Sequence, residues 1–373
     1  MELALRLAKR GLGRTSPNPM VGAVIVKNGR IAGKGYHKKA GLPHAEMAAL
    51  KEAGMNARGA TMYVNLEPCD HFGRTPPCTA AIIKSGVKKV VAAMKDPNPL
   101  NNGRGFRRLK KNGIKVIKGV LEGEAKRLNE VFVKYVAKKM PFVIVKAAQS
   151  LDGKIATKTR DSKWISHPES RRYVHRLRGQ VDAVMVGVGT VIRDDPLLTS
   201  RLQKKVYSLQ FTVYRKKIKQ PIKIIVDSRL KTPLNSRIFN YDSPAKVIIA
   251  TTKKAQKNKI KKLIKIGAEV LILKEKNGKT NLRHLMKELG KREITSVLVE
   301  GGGELIGGLV DGKLVDKFLF FIAPKIIGGK GAIASVGGEG IDKISQALNL
   351  KNTSYRKFGD DLLIQGYFIN HKP

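Results

Sequence analysis

The sequence predicts two successive α/β domains, and three observations carry that expectation. The chain has 373 residues, more than one core usually organises, since single cores stop growing near about 250 to 300 residues. Apolar strand-like runs alternate with helical periodicity through both halves, which is the pattern of layered α/β folds. The alternation breaks near residues 138–141, at Pro141, so a first domain is expected over 1–140 and a second over 141–373.

The first domain opens on a hairpin. Apolar-rich runs at 21–26 and 31–36 are separated by Lys27-Asn28-Gly29-Arg30, and Asn-Gly is the strongest short hairpin signal. A helical pattern over 44–53 stops at Gly54, a strand follows at 61–66, and a helix over 78–85 stops at Gly86. Next come a buried strand at 87–94, a short helix at 106–112, a strand at 115–118 and one amphipathic helix over 122–136. That makes a layer of about five strands.

The second half repeats the alternation. Strands are expected at 142–148, 183–187, 223–226, 246–250, 270–273 and 296–299, and the run FLFFIAP reads as a further buried strand. The basic, poorly periodic stretch over 202–219 reads as a surface insertion. No internal repeat or low-complexity tract stands out.

Composition excludes several classes. No apolar run approaches the roughly 18 residues of a membrane span, which argues against a membrane partner. Lysine and arginine number 73 against 29 acidic residues, a formal charge of +44, which invites a nucleic-acid reading. The lysines are scattered through the whole length, however, mostly at positions that would face solvent between apolar ones, whereas a nucleic-acid binder concentrates charge on one face. Residues 16–26 already look like folded, functional sequence rather than a leader, so a cytoplasmic location is expected. The two cysteines lie nine residues apart, and in a reducing compartment such a pair is more often a metal site than a disulfide.

Those cysteines belong to a constellation with chemistry. Catalytic zinc needs three protein ligands and one position left for water, whose pKa the metal lowers towards neutrality. His44, Cys69 and Cys78 supply that count. Glu46 follows His44 by two residues at the start of a helix, where it reaches the fourth position without ligating and can carry a proton from water to a leaving amine. This is the division of labour of a hydrolytic deaminase. The usual signature places the second cysteine two residues after the first, whereas eight residues separate Cys69 from Cys78 here. Cys69 ends a strand and Cys78 opens a helix after two prolines, so the loop can bulge outward while both sulfurs converge.

Thr15-Ser16-Pro17-Asn18-Pro19, Gly35-Tyr36-His37, Pro43-His44-Ala45-Glu46, Leu66-Glu67-Pro68-Cys69, Gly73-Arg74-Thr75-Pro76-Pro77-Cys78, Asp96-Pro97-Asn98-Pro99 and Gly103-Arg104-Gly105 together resemble the deaminase of riboflavin biosynthesis. The long loop is that family's own variant. The resemblance implies a cytidine-deaminase-like α/β/α domain that deaminates 2,5-diamino-6-ribosylamino-pyrimidinone 5′-phosphate, with Asn18, Asp96 and Asn98 around base and sugar and with His37 and Arg74 at the phosphate. Read singly, Asn18, Asp96 and Asn98 sit beside prolines, where such residues commonly cap turns.

The second domain resembles the reductase half of the same bifunctional family, through KAAQSLDGKI from Lys146, Ser162-Lys163-Trp164-Ile165-Ser166, Leu177-Arg178, Val186-Gly187-Val188-Gly189-Thr190-Val191, Asp194-Asp195-Pro196-Leu197-Leu198-Thr199, Val226-Asp227-Ser228 and Glu300-Gly301-Gly302-Gly303. A dihydrofolate-reductase-like α/β fold is implied, with NADPH reducing a ribosyl group to ribityl. By the same resemblance the cofactor meets Ala148, Trp164, Thr190, Asp194, Ser228 and the run Gly302, Gly303, Glu304, Leu305, Ile306, Gly307 and Gly308. The substrate meets Lys146, Ser162, Arg178, Leu198, Arg201 and Glu300. From the residues themselves, a strand ending in consecutive glycines that open a helix exposes backbone N–H groups to a pyrophosphate, although a plain turn has the same composition. It is not a G-x-G-x-x-G fingerprint, which disfavours a Rossmann domain. Guanidinium groups at Arg178 and Arg201 suit phosphate, and Trp164 is the one tryptophan, a core aromatic or a cofactor wall.

The reading is a bifunctional zinc and NADPH enzyme acting on a small phosphorylated pyrimidine, without nucleic-acid or membrane partners and as a homo-oligomer. Its rivals are a nucleic-acid deaminase with an appended binding domain, and a basic RNA-binding protein carrying relic motifs.

Overall fold

The structure, a computed structural model, describes residues 1–72, 76–201, 219–239 and 245–368. The chain divides into two compact units, the first over residues 1–140 and the second from Pro141 onward.

The first unit is a five-stranded sheet flanked by helices. Its elements are α1 (Glu2–Lys9), β1 (Gly22–Lys27), β2 (Arg30–Tyr36), α2 (Ala45–Ala53), β3 (Thr61–Leu66), α3 (Cys78–Lys84), β4 (Lys89–Met94), α4 (Arg104–Lys111), β5 (Lys115–Lys118), α5 (Glu122–Leu128) and α6 (Glu130–Lys138). The strand order is β2-β1-β3-β4-β5. The β1–β2 hairpin and the β1–β3 pair are antiparallel, and β3, β4 and β5 run parallel. Asn28 and Gly29 both take positive φ in the hairpin turn, as the Asn-Gly signal requires.

Two glycines decide where α2 lies. A Cβ at Gly33 would come within 2.3 Å of the Ala49 carbonyl oxygen, and one at Gly35 within 2.6 Å of that of Ala45. With no side chains there, α2 settles directly on β2, and alanines 45, 49 and 53 are buried in the same core as Ile25, Met62 and Val64. The helix that begins at the zinc-ligand candidate His44 is thereby fixed to the sheet.

Two sequence expectations need correction here. The helix expected over 122–136 is two helices, because Asn129 leaves helical geometry (φ −104°, ψ 22°). Its side chain accepts from the Met20 N–H at 2.8 Å and donates to the Met20 carbonyl at 3.0 Å, so tertiary bonds outweigh helix continuity. The N-terminal helix α1 was not foreseen. It is short, and no side chain caps it, so its start has no local signal.

The second unit contains β6 (Phe142–Ser150), β7 (Lys154–Ala156), α7 (Pro168–Arg178), β8 (Ala183–Gly187), α8 (Val188–Asp194), β9 (Ile222–Val226), β10 (Val247–Thr252), α9 (Lys257–Lys265), β11 (Ala268–Leu273), the short pair β12 (Glu275–Lys276) and β13 (Lys279–Thr280), α10 (Leu282–Lys291), β14 (Ser296–Val299), α11 (Gly303–Asp311), β15 (Lys317–Ala323), β16 (Ile333–Ala334), β17 (Leu350–Phe358) and β18 (Asp361–Phe368). Nine strands form one sheet in the order β11-β10-β9-β8-β14-β6-β15-β18-β17. From β11 to β15 every neighbouring pair is parallel. The chain then returns antiparallel through the β17–β18 hairpin, an appendage the sequence patterning did not reveal. The expected surface insertion lies almost wholly outside the described residues.

Not every lysine is solvated. Lys223 on β9 is 1% exposed, and its Nζ donates to the Ile238 carbonyl at 2.8 Å. Burial holds its ammonium pKa below the usual value.

Candidate active sites

In the first unit three donor atoms converge. His44 is the N-cap of α2, Cys78 opens α3 behind Pro77, and Cys69 follows β3. The ligand atoms of His44, Cys69 and Cys78 all lie within 4.8 Å of one another. His44 Nδ1 stands 3.2 Å from Cys78 Sγ and 3.6 Å from Cys69 Sγ. Zinc held tetrahedrally, at about 2.3 Å from sulfur and about 2.0 Å from nitrogen, separates those atoms by about 3.5 Å. The donor set therefore fits one zinc ion in distance as well as in chemistry.

The electrostatics favour one thiolate, at Cys69. Donation from Cys78, opposed by burial and aided by His44, pulls the Cys69 thiol down to about 4, and the Cys78 backbone N–H also donates to Cys69 Sγ at 3.3 Å. Cys78, as the donor of the pair, is pushed up. Glu46 sits in the first turn of α2 with 4% of its surface exposed. Burial first, and the Cys69 charge second, push its carboxyl up to about 7, a value at which it both takes and gives a proton near neutral pH.

A second carboxylate, which sequence reasoning passed over, builds the surroundings. Glu67 is 2% exposed. Its Oε2 accepts from the N–H groups of Asp96 at 3.0 Å and Gly103 at 2.9 Å, and its Oε1 from that of Phe106 at 3.2 Å. Two of those donors belong to the start of α4, where a carboxylate is favoured. The helix can come this close because Gly105 has no side chain: a Cβ there would lie 2.0 Å from the Pro68 carbonyl oxygen. The only sequence cue was an acid immediately before Pro68-Cys69.

Asp70 frames the long loop. It accepts from Thr79 Oγ1 at 2.7 Å and Arg108 Nη1 at 2.8 Å, while its N–H donates to Asn101 Oδ1 at 2.9 Å. Of the residues expected around the base, Asp96 accepts from the Asn98 N–H at 2.9 Å and Asn101 Nδ2 at 3.2 Å. Burial pushes its carboxyl up to about 6 against those bonds. Asn18 Nδ2 donates to His37 Nε2 at 3.1 Å, and His37 Nδ1 donates to the Pro43 carbonyl at 3.2 Å. His37 is 2% exposed, and burial foremost keeps its imidazole below the usual value, so it stands as a neutral ring beneath Asn18. Arg74 lies outside the described residues.

In the second unit the expected residues gather at the carboxyl ends of four adjacent parallel strands, where open α/β sheets bind ligands. Thr190 and Asp194 lie on α8 after β8, Ser228 follows β9, Glu300 and the glycines follow β14, and Lys146 and Ala148 lie on β6. Gly302 is the N-cap of α11, with Gly303, Glu304, Leu305 and Ile306 opening the helix and Gly307 and Gly308 in its middle. Ser228 Oγ accepts from the Thr280 N–H at 2.9 Å, which ties the small β12–β13 ribbon to this end of the sheet.

Arg178 and Glu300 meet each other. Arg178 Nε and Nη2 donate to the two Glu300 oxygens at 2.7 and 2.9 Å. Burial acts to raise Glu300, but the Arg178 and Lys146 charges outweigh it and hold the carboxyl below its usual range. Lys146 is held down chiefly by burial, with Glu300 opposing and Arg178 adding to the effect. Trp164 is 66% exposed, which rules out the core-aromatic reading. The Arg171 guanidinium stacks 4.6 Å from its ring centroid. Ser162 is half-buried, Leu198 buried and Arg201 exposed.

Comparison with known proteins agrees across the chain. Residues 141–364 match the family described as RibD C-terminal domain, and residues 1–94 match the cytidine and deoxycytidylate deaminase zinc-binding region. Riboflavin biosynthesis protein RibD of Aquifex aeolicus is 47% identical over 364 residues, covering 98% of this chain and 96% of the relative. The chain belongs to the RibD family. Acinetobacter baumannii RibD, form 1, superposes with a TM-score of 0.86 at 38% identity, over 98% of this chain and 97% of that one. A Thermotoga maritima structure, named as a diaminohydroxyphosphoribosylaminopyrimidine deaminase/5-amino-6-(5-phosphoribosylamino)uracil reductase, gives 0.81 at 38% identity over 99% and 97%. RibD is the bifunctional deaminase and reductase of riboflavin biosynthesis, with a zinc-binding deaminase domain and an NADPH-using reductase domain. Among the described residues no helix is long and apolar enough to cross a membrane.

Proposed function

We propose that the first unit deaminates 2,5-diamino-6-ribosylamino-pyrimidinone 5′-phosphate and that the second reduces the ribosyl side chain of the product. The observation that carries this reading is the buried Glu46 carboxyl beside the converged donors of His44, Cys69 and Cys78. Zinc bound by those three residues supplies the Lewis acidity that makes water a nucleophile near neutral pH. Glu46 takes the proton of the attacking water and delivers it to the amine that leaves as ammonia. Asn18, Asp96 and Asn98 orient the pyrimidine and sugar, and His37 and Arg74 hold the phosphate.

In the reductase, NADPH supplies the hydride. Thr190, Asp194, Ser228, Ala148, Trp164 and the turn over 302–308 hold and align it, and the Gly302–Gly303 helix start favours its pyrophosphate. Lys146, Ser162, Leu198, Arg201 and the Arg178–Glu300 pair face the substrate. Arg178 is held by Glu300 on two nitrogens, and Arg201 is exposed where it can meet phosphate. Two unpaired thiols support a cytoplasmic location. A homo-oligomer belongs to the same reading, and light scattering on the eluted protein checks it.

The deciding experiment follows NADPH oxidation by purified protein given the diaminopyrimidine phosphate, with and without a zinc chelator. Chelation should stop turnover of that substrate and spare its deaminated product. Deamination of single-stranded RNA or DNA with the free pyrimidine phosphate untouched would overturn the reading.

A further inference from the structure

The turn that carries Leu198 and Arg201 is held under strain. Leu198 is 3% exposed and takes φ of 51°, and Asp195 just before it takes 39°. A leucine in the left-handed region costs about 1 to 2 kcal/mol, and such a conformation persists only where its surroundings impose it. Here the surroundings are a clamp around Thr199 and Ser200. The Thr199 carbonyl accepts from His175 Nδ1 at 3.2 Å and from Arg178 Nη1 at 3.2 Å, both on α7. Ser200 Oγ returns a bond to the His175 carbonyl at 2.9 Å. On the other side the Gln220 amide accepts from the Ser200 N–H at 2.8 Å and donates to the Ser200 carbonyl at 3.1 Å.

His175 and Arg178 divide the work differently. Arg178 is anchored mainly by Glu300, so its third bond to Thr199 comes with a partner elsewhere. The His175 ring has one side-chain hydrogen bond among the described residues, the one to Thr199. A carbonyl oxygen only accepts, so the imidazole proton sits on Nδ1. Burial, then the Arg178 charge, keep this ring below its usual pKa, which favours the neutral form.

We propose that His175 is a positioning residue of the reductase, whose Nδ1–H holds the Thr199 carbonyl and so sets where Leu198 and Arg201 meet the substrate. This rests on the reading above that Leu198 and Arg201 are substrate contacts.

The test uses the full-length, zinc-loaded enzyme with NADPH and the deaminated intermediate. His175→Leu should raise KM for the intermediate about tenfold, the scale of one lost hydrogen bond, with kcat and KM for NADPH within about twofold and deamination unchanged. His175→Asn, whose Nδ2 takes the place of Nδ1, should restore KM to within about threefold of the parent. If His175→Leu does not fold, His175→Gln replaces it with the same expectation, since its amide is carried one bond too far for Thr199. Arg201→Ala separates the two claims. An unchanged KM in Arg201→Ala removes the substrate reading beneath the proposal. A raised KM there, with His175 variants like the parent or with Asn as impaired as Leu, overturns the positioning role alone.

Discussion

The two sites differ in how much of themselves the protein supplies. In the first unit the ligand atoms of His44, Cys69 and Cys78 already lie within 4.8 Å of one another, and Glu46 and Glu67 are almost completely buried beside them. In the second, Trp164, Arg201 and Glu304 stand exposed, and the assigned residues share strand ends rather than a closed cluster. An ion leaves no room for error of a few tenths of an ångström, so its ligands need closely fixed positions. A dinucleotide brings a long surface of its own, and the protein needs only to offer strand ends, a helix start and a few polar groups.

Four substitutions test that contrast, taken from the largest expected effect. Glu46→Gln should lower deamination by about 10² to 10⁴ fold, the usual worth of a positioned proton carrier. Zinc content and reduction of the deaminated intermediate should stay at parental levels, and loss of both activities in a folded variant would contradict two independent sites.

Arg178→Met strands the Glu300 charge, whose side chain is 9% exposed, and should destabilise the second unit by about 3 to 5 kcal/mol. Denaturant unfolding at several pH values sharpens this. The folded carboxyl titrates below its unfolded value, so the contribution is fully present above about pH 4.3 and fades as pH falls through the lowered folded pKa. The gap between parent and variant should narrow in acid, and a gap constant with pH would mean that the pair contributes through packing alone.

Glu67→Ala leaves three backbone N–H groups without their acceptor and should cost the first unit about 3 kcal/mol, while the unfolding transition of the second stays put. Lys279→Ala removes an ion pair with Glu304 whose side chains are 67% and 79% exposed. Stability should change by less than about 0.5 kcal/mol; a larger loss would show that the open site is more tightly built than its exposure suggests.

The ligand set was legible because metal chemistry restricts residue types: few patterns other than His-x-Glu with a Pro-Cys and a second cysteine supply three soft or borderline donors and a free carboxylate. The hairpin was legible at Asn28-Gly29 because its turn demands positive φ. What escaped depends on partners distant in sequence. Asn129 breaks a periodic helix for the sake of Met20. Glu67 is defined by N–H groups 29 to 39 residues away, and His175 by a carbonyl 24 residues on. Lys223 shows the same limit, as a charged residue type whose burial only its neighbours decide. The β17–β18 hairpin closes the sheet with strands of which the first is largely exposed, so its pattern carries little apolar signal.

The bonds around Asp70 also bear on how this enzyme can change. Thr79 N–H donates to the Cys69 carbonyl at 3.2 Å and its hydroxyl to Asp70, which fastens the two ends of the excursion between the cysteines to each other. Once the ends of a loop are fastened, doubling its length costs only about 0.6 kcal/mol. Lengthening the stretch between Asp70 and Cys78 should therefore cost little stability, which makes it the place where this deaminase can best take insertions.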